Sequence, residues 1–108
     1  MKVTMDQALD GALGYLAEEV AKVQNPVKKF TTLFSIGAMK ANRDGAIAKY
    51  RPMLETSGIV TADGCVDVDA VQKGMEMAFA AVPTLTLLGF DFTQSDIVPI
   101  VSHLKQGR

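Results

Sequence analysis

Ile59-Val60-Thr61-Ala62-Asp63-Gly64-Cys65-Val66-Asp67-Val68-Asp69 is the stretch that decides the fold. Two short apolar pieces flank Asp63-Gly64, a pair suited to the left-handed corner of a tight turn, so a small β element belongs here. Asp67 or Asp69 then caps a helix that runs to about Ala81. Val68, Val71, Met75, Ala78/Phe79 and Val82 give that helix one apolar side. The same aspartates suggest a calcium loop, but the register fails. An EF-hand places glycine sixth between acidic first and last ligands. With Gly64 sixth, the first position is Ile59 and the last is Ala70. Helix capping is therefore the expected work of Asp67 and Asp69, and no metal is expected.

Upstream, the pattern is helical throughout. Thr4 with Gln7 three residues on forms a capping-box signature. Met5, Leu9, Ala12/Leu13, Leu16, Val20 and Val23 follow at helical spacing up to Asn25-Pro26. Gly11 and Gly14 each cost this helix about 1 kcal/mol relative to alanine, which is reasonable if a second helix crosses there. Asn25 caps the next helix, with Pro26 at its first position. Its expected buried stripe is Val27, Phe30, Leu33/Phe34, Gly37/Ala38 and Ala41, with Lys28, Lys29 and Lys40 off it. Asn42-Arg43-Asp44-Gly45 is a plausible break, with one continuous helix as the alternative. A third helical stretch, Ala46 to about Thr56, contains Pro52, which must kink it or start a fresh turn. Ser57-Gly58 ends it.

Downstream, Thr84-Leu85-Thr86-Leu87-Leu88-Gly89-Phe90-Asp91-Phe92 alternates at period two. It reads as a strand bent at Leu88-Gly89 or as a tiny hairpin. Thr93 with Asp96 opens a last helix carrying Ile97, Val98, Val101 and Leu104, with Pro99 near its first turn. The expected architecture is α+β: a mostly helical single domain over residues 1–108, with about five helices and a two- or three-stranded antiparallel β element.

The bulk composition agrees. The chain has 108 residues, 48% hydrophobic and 21% charged, enough for one core. That core is aliphatic, since Trp is absent. One cysteine, Cys65, rules out an internal disulfide and a zinc cluster, and it points to a reducing, cytoplasmic setting. The early Asp6 and Asp10 argue against a signal segment, and Phe30 to Met39 is too short to cross a bilayer.

Charge is uneven. Lys28, Lys29, Lys40, Arg43, Lys49 and Arg51 face only Asp44 in the middle of the chain, between acidic flanks. The leading expectation is that this basic segment is solvated or pairs with those flanks. The alternative is a nucleic-acid-binding module using residues 28–51, which lacks interleaved aromatics and a high isoelectric point. Phe90 and Phe92 share one strand face; they either bury against a helix or form an exposed aromatic ridge for a partner. Met75 is expected as core filler. Cys65 needs a base to act as a nucleophile, and the sole histidine, His103, is expected at a helix surface. Glu18 and Glu19 diverge on their helix. Gly-rich phosphate loops are absent.

Arg51-Pro52-Met53-Leu54, Gly58-Ile59-Val60, Asp63-Gly64, Val66-Asp67-Val68-Asp69-Ala70-Val71, Leu87-Leu88-Gly89-Phe90, Phe92-Thr93 and Asp96-Ile97 resemble small uncharacterised proteins encoded in prophages of gut-type bacteria. The resemblance covers the C-terminal half and implies a non-enzymatic role in phage assembly or mobile elements. It supplies no catalytic residues. The first expectation is thus a non-catalytic structural or protein-interaction protein that associates with itself or another protein, with no cofactor and no membrane. The candidate interaction residues are Lys28, Lys29, Lys40, Arg43, Lys49, Arg51, Phe90 and Phe92. A small enzyme or ligand binder ranks third.

Overall fold

The computed structural model describes residues 1–87 and 90–108. In chain order these form β1 (Lys2–Val3), α1 (Met5–Ala21), α2 (Pro26–Ala41), α3 (Arg43–Thr56), β2 (Val66–Asp67), α4 (Val68–Ala81), β3 (Leu85–Leu87), β4 (Phe90–Phe92) and α5 (Ile97–Gln106). A short 3₁₀ turn, Gln94–Asp96, leads into α5. The protein is α+β and mostly helical.

The β element comes as two separate antiparallel pairs. Gly64, at φ 80°, turns the chain so that Val66 bridges Val60. The longer pairing of β2 is with β1, Val3 opposite Val66, which ties the start of the chain to its middle. β3 and β4 form a hairpin with Leu85 opposite Phe92. The bend expected at Leu88-Gly89 lies outside the described residues.

Local chemistry places the helix ends. The Thr4 hydroxyl accepts from the Gln7 N–H at 3.1 Å while the Gln7 side chain accepts from the Thr4 N–H at 3.0 Å, satisfying two otherwise orphaned donors. Asn25 Oδ1 accepts from Val27 and Lys28 N–H groups ahead of Pro26. Of the two aspartates considered, Asp67 is the cap of α4, accepting from Asp69 and Ala70. Asn42 ends α2 and starts α3 within one residue; its side chain accepts from the Gly45 N–H. Pro52 lies inside α3 without ending it. α1 closes at Ala21 instead of reaching Asn25, because Lys22 and Val23 take tighter bonds to Glu19 and Val20.

Two apolar clusters make the core. Val3, Val66, Val68, Ile97, Val101 and Leu104 form one; Leu13, Tyr15, Val20, Ile36, Phe90 and Phe92 form the other. Phe79 and Ile100 pack against both and join them. α5 crosses α1 at Gly11, where a Cβ would meet the His103 carbonyl carbon and Leu104 Cα at 2.8 Å. This is the close crossing that the glycine spacing required.

One helix departs from its expected orientation. α2 buries Thr32 and Ile36, not the stripe Val27, Phe30, Leu33 and Phe34. Thr32, Ile36 and Met39 form a second, narrower stripe at helical spacing, and Ile36 joins the cluster of Leu13, Val20 and Phe90. The wider stripe is left facing solvent.

Candidate interaction surface

The outward side of α2 carries four exposed large hydrophobic residues. Val27 is 73% exposed, Phe30 71%, Leu33 47% and Phe34 70%. The Phe30 and Phe34 rings stack on each other at 6.4 Å, which shields only part of their area. Fully burying each such side chain is worth about 1.5–3 kcal/mol, so leaving four in water forgoes a large stabilisation. The same face continues through Gly37, Ala38 and Ala41, all exposed. Nothing lies within 4 Å of where a Gly37 Cβ would stand. The face therefore has two halves, bulky toward the N-terminus of α2 and shallow toward its C-terminus. From Val27 to Ala41 it extends about 21 Å at helical rise.

The basic segment does not gather into one patch. Arg43 is held by acids of α1, with its Nε 3.2 Å from Asp6 and its Nη2 2.7 Å from Asp10. Those bonds push its guanidinium pKa upward, outweighing a smaller effect of burial. Arg51 pairs with Glu55 at 3.4 Å along its own helix. The Lys28 ammonium sits 4.8 Å from the centre of the Phe90 ring, and Lys49 lies 5.5 Å from the Tyr50 ring. Lys29 and Lys40 are exposed along one edge of the outward face of α2. Internal pairing with the acidic flank is thus realised at Arg43.

Phe90 and Phe92 leave the candidate surface. Both are 8% exposed. Their shared strand face packs among Leu13, Tyr15 and Val20 of α1 and Ile36 of α2, with the Phe92 ring 6.2 Å from that of Tyr15. Burial against a helix is the arrangement found, and the alternative of an exposed aromatic ridge is not. Met75 packs against the core as expected, while Met77 faces water.

His103 is not a free surface residue. Its side chain is 16% exposed, and its Nε2 lies 3.0 Å from Glu18 across the α1–α5 crossing. Its Nδ1 meets the Arg108 carbonyl. Burial alone would lower its pKa, but the Arg108 carbonyl and Glu18 together raise it above the ordinary value. Beside it, at 5.6 Å between rings, Tyr15 donates its hydroxyl to Asp96. Burial first, then the Asp96 carboxylate, drives the Tyr15 pKa well upward, so this phenol stays neutral. Glu19 pairs with Lys22 at 3.1 Å and adds to the upward push on Tyr15, whereas Glu18 pairs with His103.

Cys65 belongs to the β-turn, its N–H donating to the Thr61 hydroxyl at 3.2 Å. Asp63 accepts from that hydroxyl and lies 3.7 Å from Lys2; both partners, the hydroxyl first, hold its pKa below the usual range. Asp67 is engaged in its cap. Among the described residues no three His, Cys, Asp or Glu side chains converge on a metal-sized site.

A hollow of about 240 Å³ opens where the two clusters meet, lined by Tyr15, Leu16, Met75, Phe79, Phe92 and Ile100 among others. Its walls are almost wholly apolar. No helix among the described residues is long and apolar enough to cross a membrane.

Sequence reasoning placed the outward face of α2 in the core. The signal available was that α2 carries two apolar stripes, the narrower of which is Thr32, Ile36 and Met39. The His103–Glu18 and Tyr15–Asp96 pairs had no local signal, since each joins residues far apart in the chain. Compared with protein-family models, with curated proteins and with solved structures, the chain matches none.

Proposed function

We propose that this protein is a non-catalytic interaction protein that associates with itself, and that the outward face of α2 is its working surface. The observation that carries this is the exposure of Val27, Phe30, Leu33 and Phe34 along one side of one helix. Contiguous apolar surface rimmed by polar residues marks an association site. The apolar hollow and the paired state of His103 favour a packing role over acid–base chemistry for the core. The resemblance to prophage-encoded proteins extends this to a structural part in phage assembly, and the single thiol is in keeping with a cytoplasmic site.

Nucleic-acid binding through residues 28–51 stands behind this reading. Arg43 and Arg51 are neutralised by carboxylates and Lys28 lies over Phe90, which leaves a thin basic edge in place of a patch.

Sedimentation velocity at micromolar concentration tests the proposal. The wild type is expected to sediment faster than a monomer of 11.6 kDa. Phe30→Ser with Phe34→Ser is expected to return it to monomer without loss of helical signal. A clean wild-type monomer would remove self-association. Salt-sensitive capture of a mixed DNA and RNA pool would favour the nucleic-acid reading instead.

A further inference from the structure

We propose that His103 is a pH-sensitive latch: as an imidazolium it holds α1 and the turn after α5 at the same time, and on losing a proton it lets go of that turn. The number of donors is the reason. His103 Nε2 lies 3.0 Å from a Glu18 carboxylate oxygen, and Nδ1 meets the Arg108 carbonyl oxygen. A carboxylate and a carbonyl only accept hydrogen bonds. Neutral imidazole has one N–H and one lone pair, so it serves one of them; the imidazolium, with two N–H groups, serves both. Turning the ring over would set carbons against both oxygens, so the partners themselves fix its orientation.

The latch closes on a fitted seat. Gly107 leaves α5 in the left-handed conformation, at φ 71°, and the N–H groups of Gly107 and Arg108 donate to the His103 carbonyl at 3.0 and 3.3 Å. Ring and main chain of one residue thus grip the same turn. A Cβ on Gly14 would stand 2.9 Å from the Arg108 carbonyl oxygen and 3.4 Å from His103 Nδ1, so the second glycine of α1 makes room for Arg108 as the first makes room for α5. The other ionisable groups nearby are engaged elsewhere. Tyr15, whose ring meets the imidazole edge-on at 5.6 Å, gives its hydroxyl to Asp96; Glu19 pairs with Lys22; toward α4, Lys105 acts on Asp69.

The direction of the switch follows. Burial disfavours the imidazolium, but the Arg108 carbonyl and Glu18 together outweigh it, so the ring gives up its proton above the ordinary value of about 6.5. The proton that passes to water is the one on Nδ1, because an N–H donated to a carboxylate is stronger than one donated to a neutral carbonyl. The Nδ1 lone pair then faces the Arg108 oxygen. Two acceptors repel, and Gly107–Arg108 lifts from Gly14. The turn is shut at lower pH and open at higher pH.

Nitrogen-15 NMR of the full chain tests this. His103 is the sole histidine, so its two ring nitrogens report charge and tautomer without overlap. Hydrogen exchange at the Gly107 and Arg108 amides, corrected for the intrinsic effect of pH, reports the turn. Expected are two protonated ring nitrogens below about pH 6.5 and the Nε2–H tautomer above the transition. Arg108 protection should fall about fivefold with the same midpoint, the worth of one hydrogen bond. Glu18→Gln lowers both midpoints together. Gly14→Ala, which favours helix in α1, unseats Arg108 at every pH and brings the histidine pKa down. His103→Gln makes Arg108 protection independent of pH. A neutral ring protonated at Nδ1 with Arg108 still protected, a histidine pKa unmoved by Gly14→Ala, or unchanged pH-dependent protection in His103→Gln would each overturn the latch.

Discussion

Gly11→Ala is a small change with a large expected consequence. Helix propensity alone favours alanine by about 1 kcal/mol. The crossing opposes it. The new Cβ would stand 2.8 Å from the carbonyl carbon of His103 and the Cα of Leu104, and both are backbone atoms that no rotamer can move aside. Carbon atoms pack at about 3.5–4.0 Å, so α5 must withdraw by about 1 Å. That withdrawal loosens Val101 and Leu104, buried at 6% exposure each, and lengthens the His103–Glu18 contact. Overpacking of this kind costs about 1–3 kcal/mol, and a backbone clash belongs near the upper end. Less the propensity gain, the net loss is about 2 kcal/mol, or about 10 °C in Tm for a domain of this size. Gly74→Ala is the control. It sits in α4 with nothing within 4 Å of its would-be Cβ, so only the propensity effect remains. It should gain about 1 kcal/mol. Thermal and urea unfolding followed by circular dichroism measures both. Equal stabilisation by the two substitutions would refute a close α1–α5 crossing.

Three further outcomes follow from the same geometry. Tyr15→Phe removes the hydroxyl donated to Asp96, which keeps its bond from the Thr93 N–H at 2.8 Å; a loss of about 1 kcal/mol in urea unfolding is expected, and none would mean the phenol is unbound in solution. His103 has a folded pKa raised above its ordinary value, so its charged form stabilises the fold fully below about pH 6.5 and that contribution fades as pH climbs through the folded value. Tm should thus fall between mildly acidic and mildly alkaline buffer, with a shallower fall in Glu18→Gln; an unchanged slope in that variant would count against the pair. Asp67→Ala strips α4 of its cap and should cost about 1 kcal/mol, whereas Asp63→Ala, exposed in the turn, should cost less; the reverse order would show that the loop, not the helix end, depends on its acids.

How far the chain can be read without its fold depends on the range of each signal. The Thr4–Gln7 box, the Asn25-Pro26 start, the Asp67 cap and the Gly64 turn act within about four residues, and all are visible as local patterns. Gly11 announced a close neighbour because a glycine inside a helix is otherwise a loss. The identity of that neighbour, α5, was not visible, nor was the pairing of β1 with β2, because two residues of strand carry almost no periodicity.

The face of α2 marks the boundary most clearly. Its sequence contains two apolar stripes, Val27-Phe30-Leu33/Phe34 and Thr32-Ile36-Met39, and periodicity favours the wider one for the core. The tertiary structure chose the narrower. Ile36 packs with Leu13 and Val20 of α1 and with Phe90 of the hairpin, while Phe30 and Phe34 stay exposed. Amphipathic spacing tells that a helix has an apolar side. Which side is covered depends on elements remote in the chain, because burial is a property of what packs above a residue and not of the residues beside it.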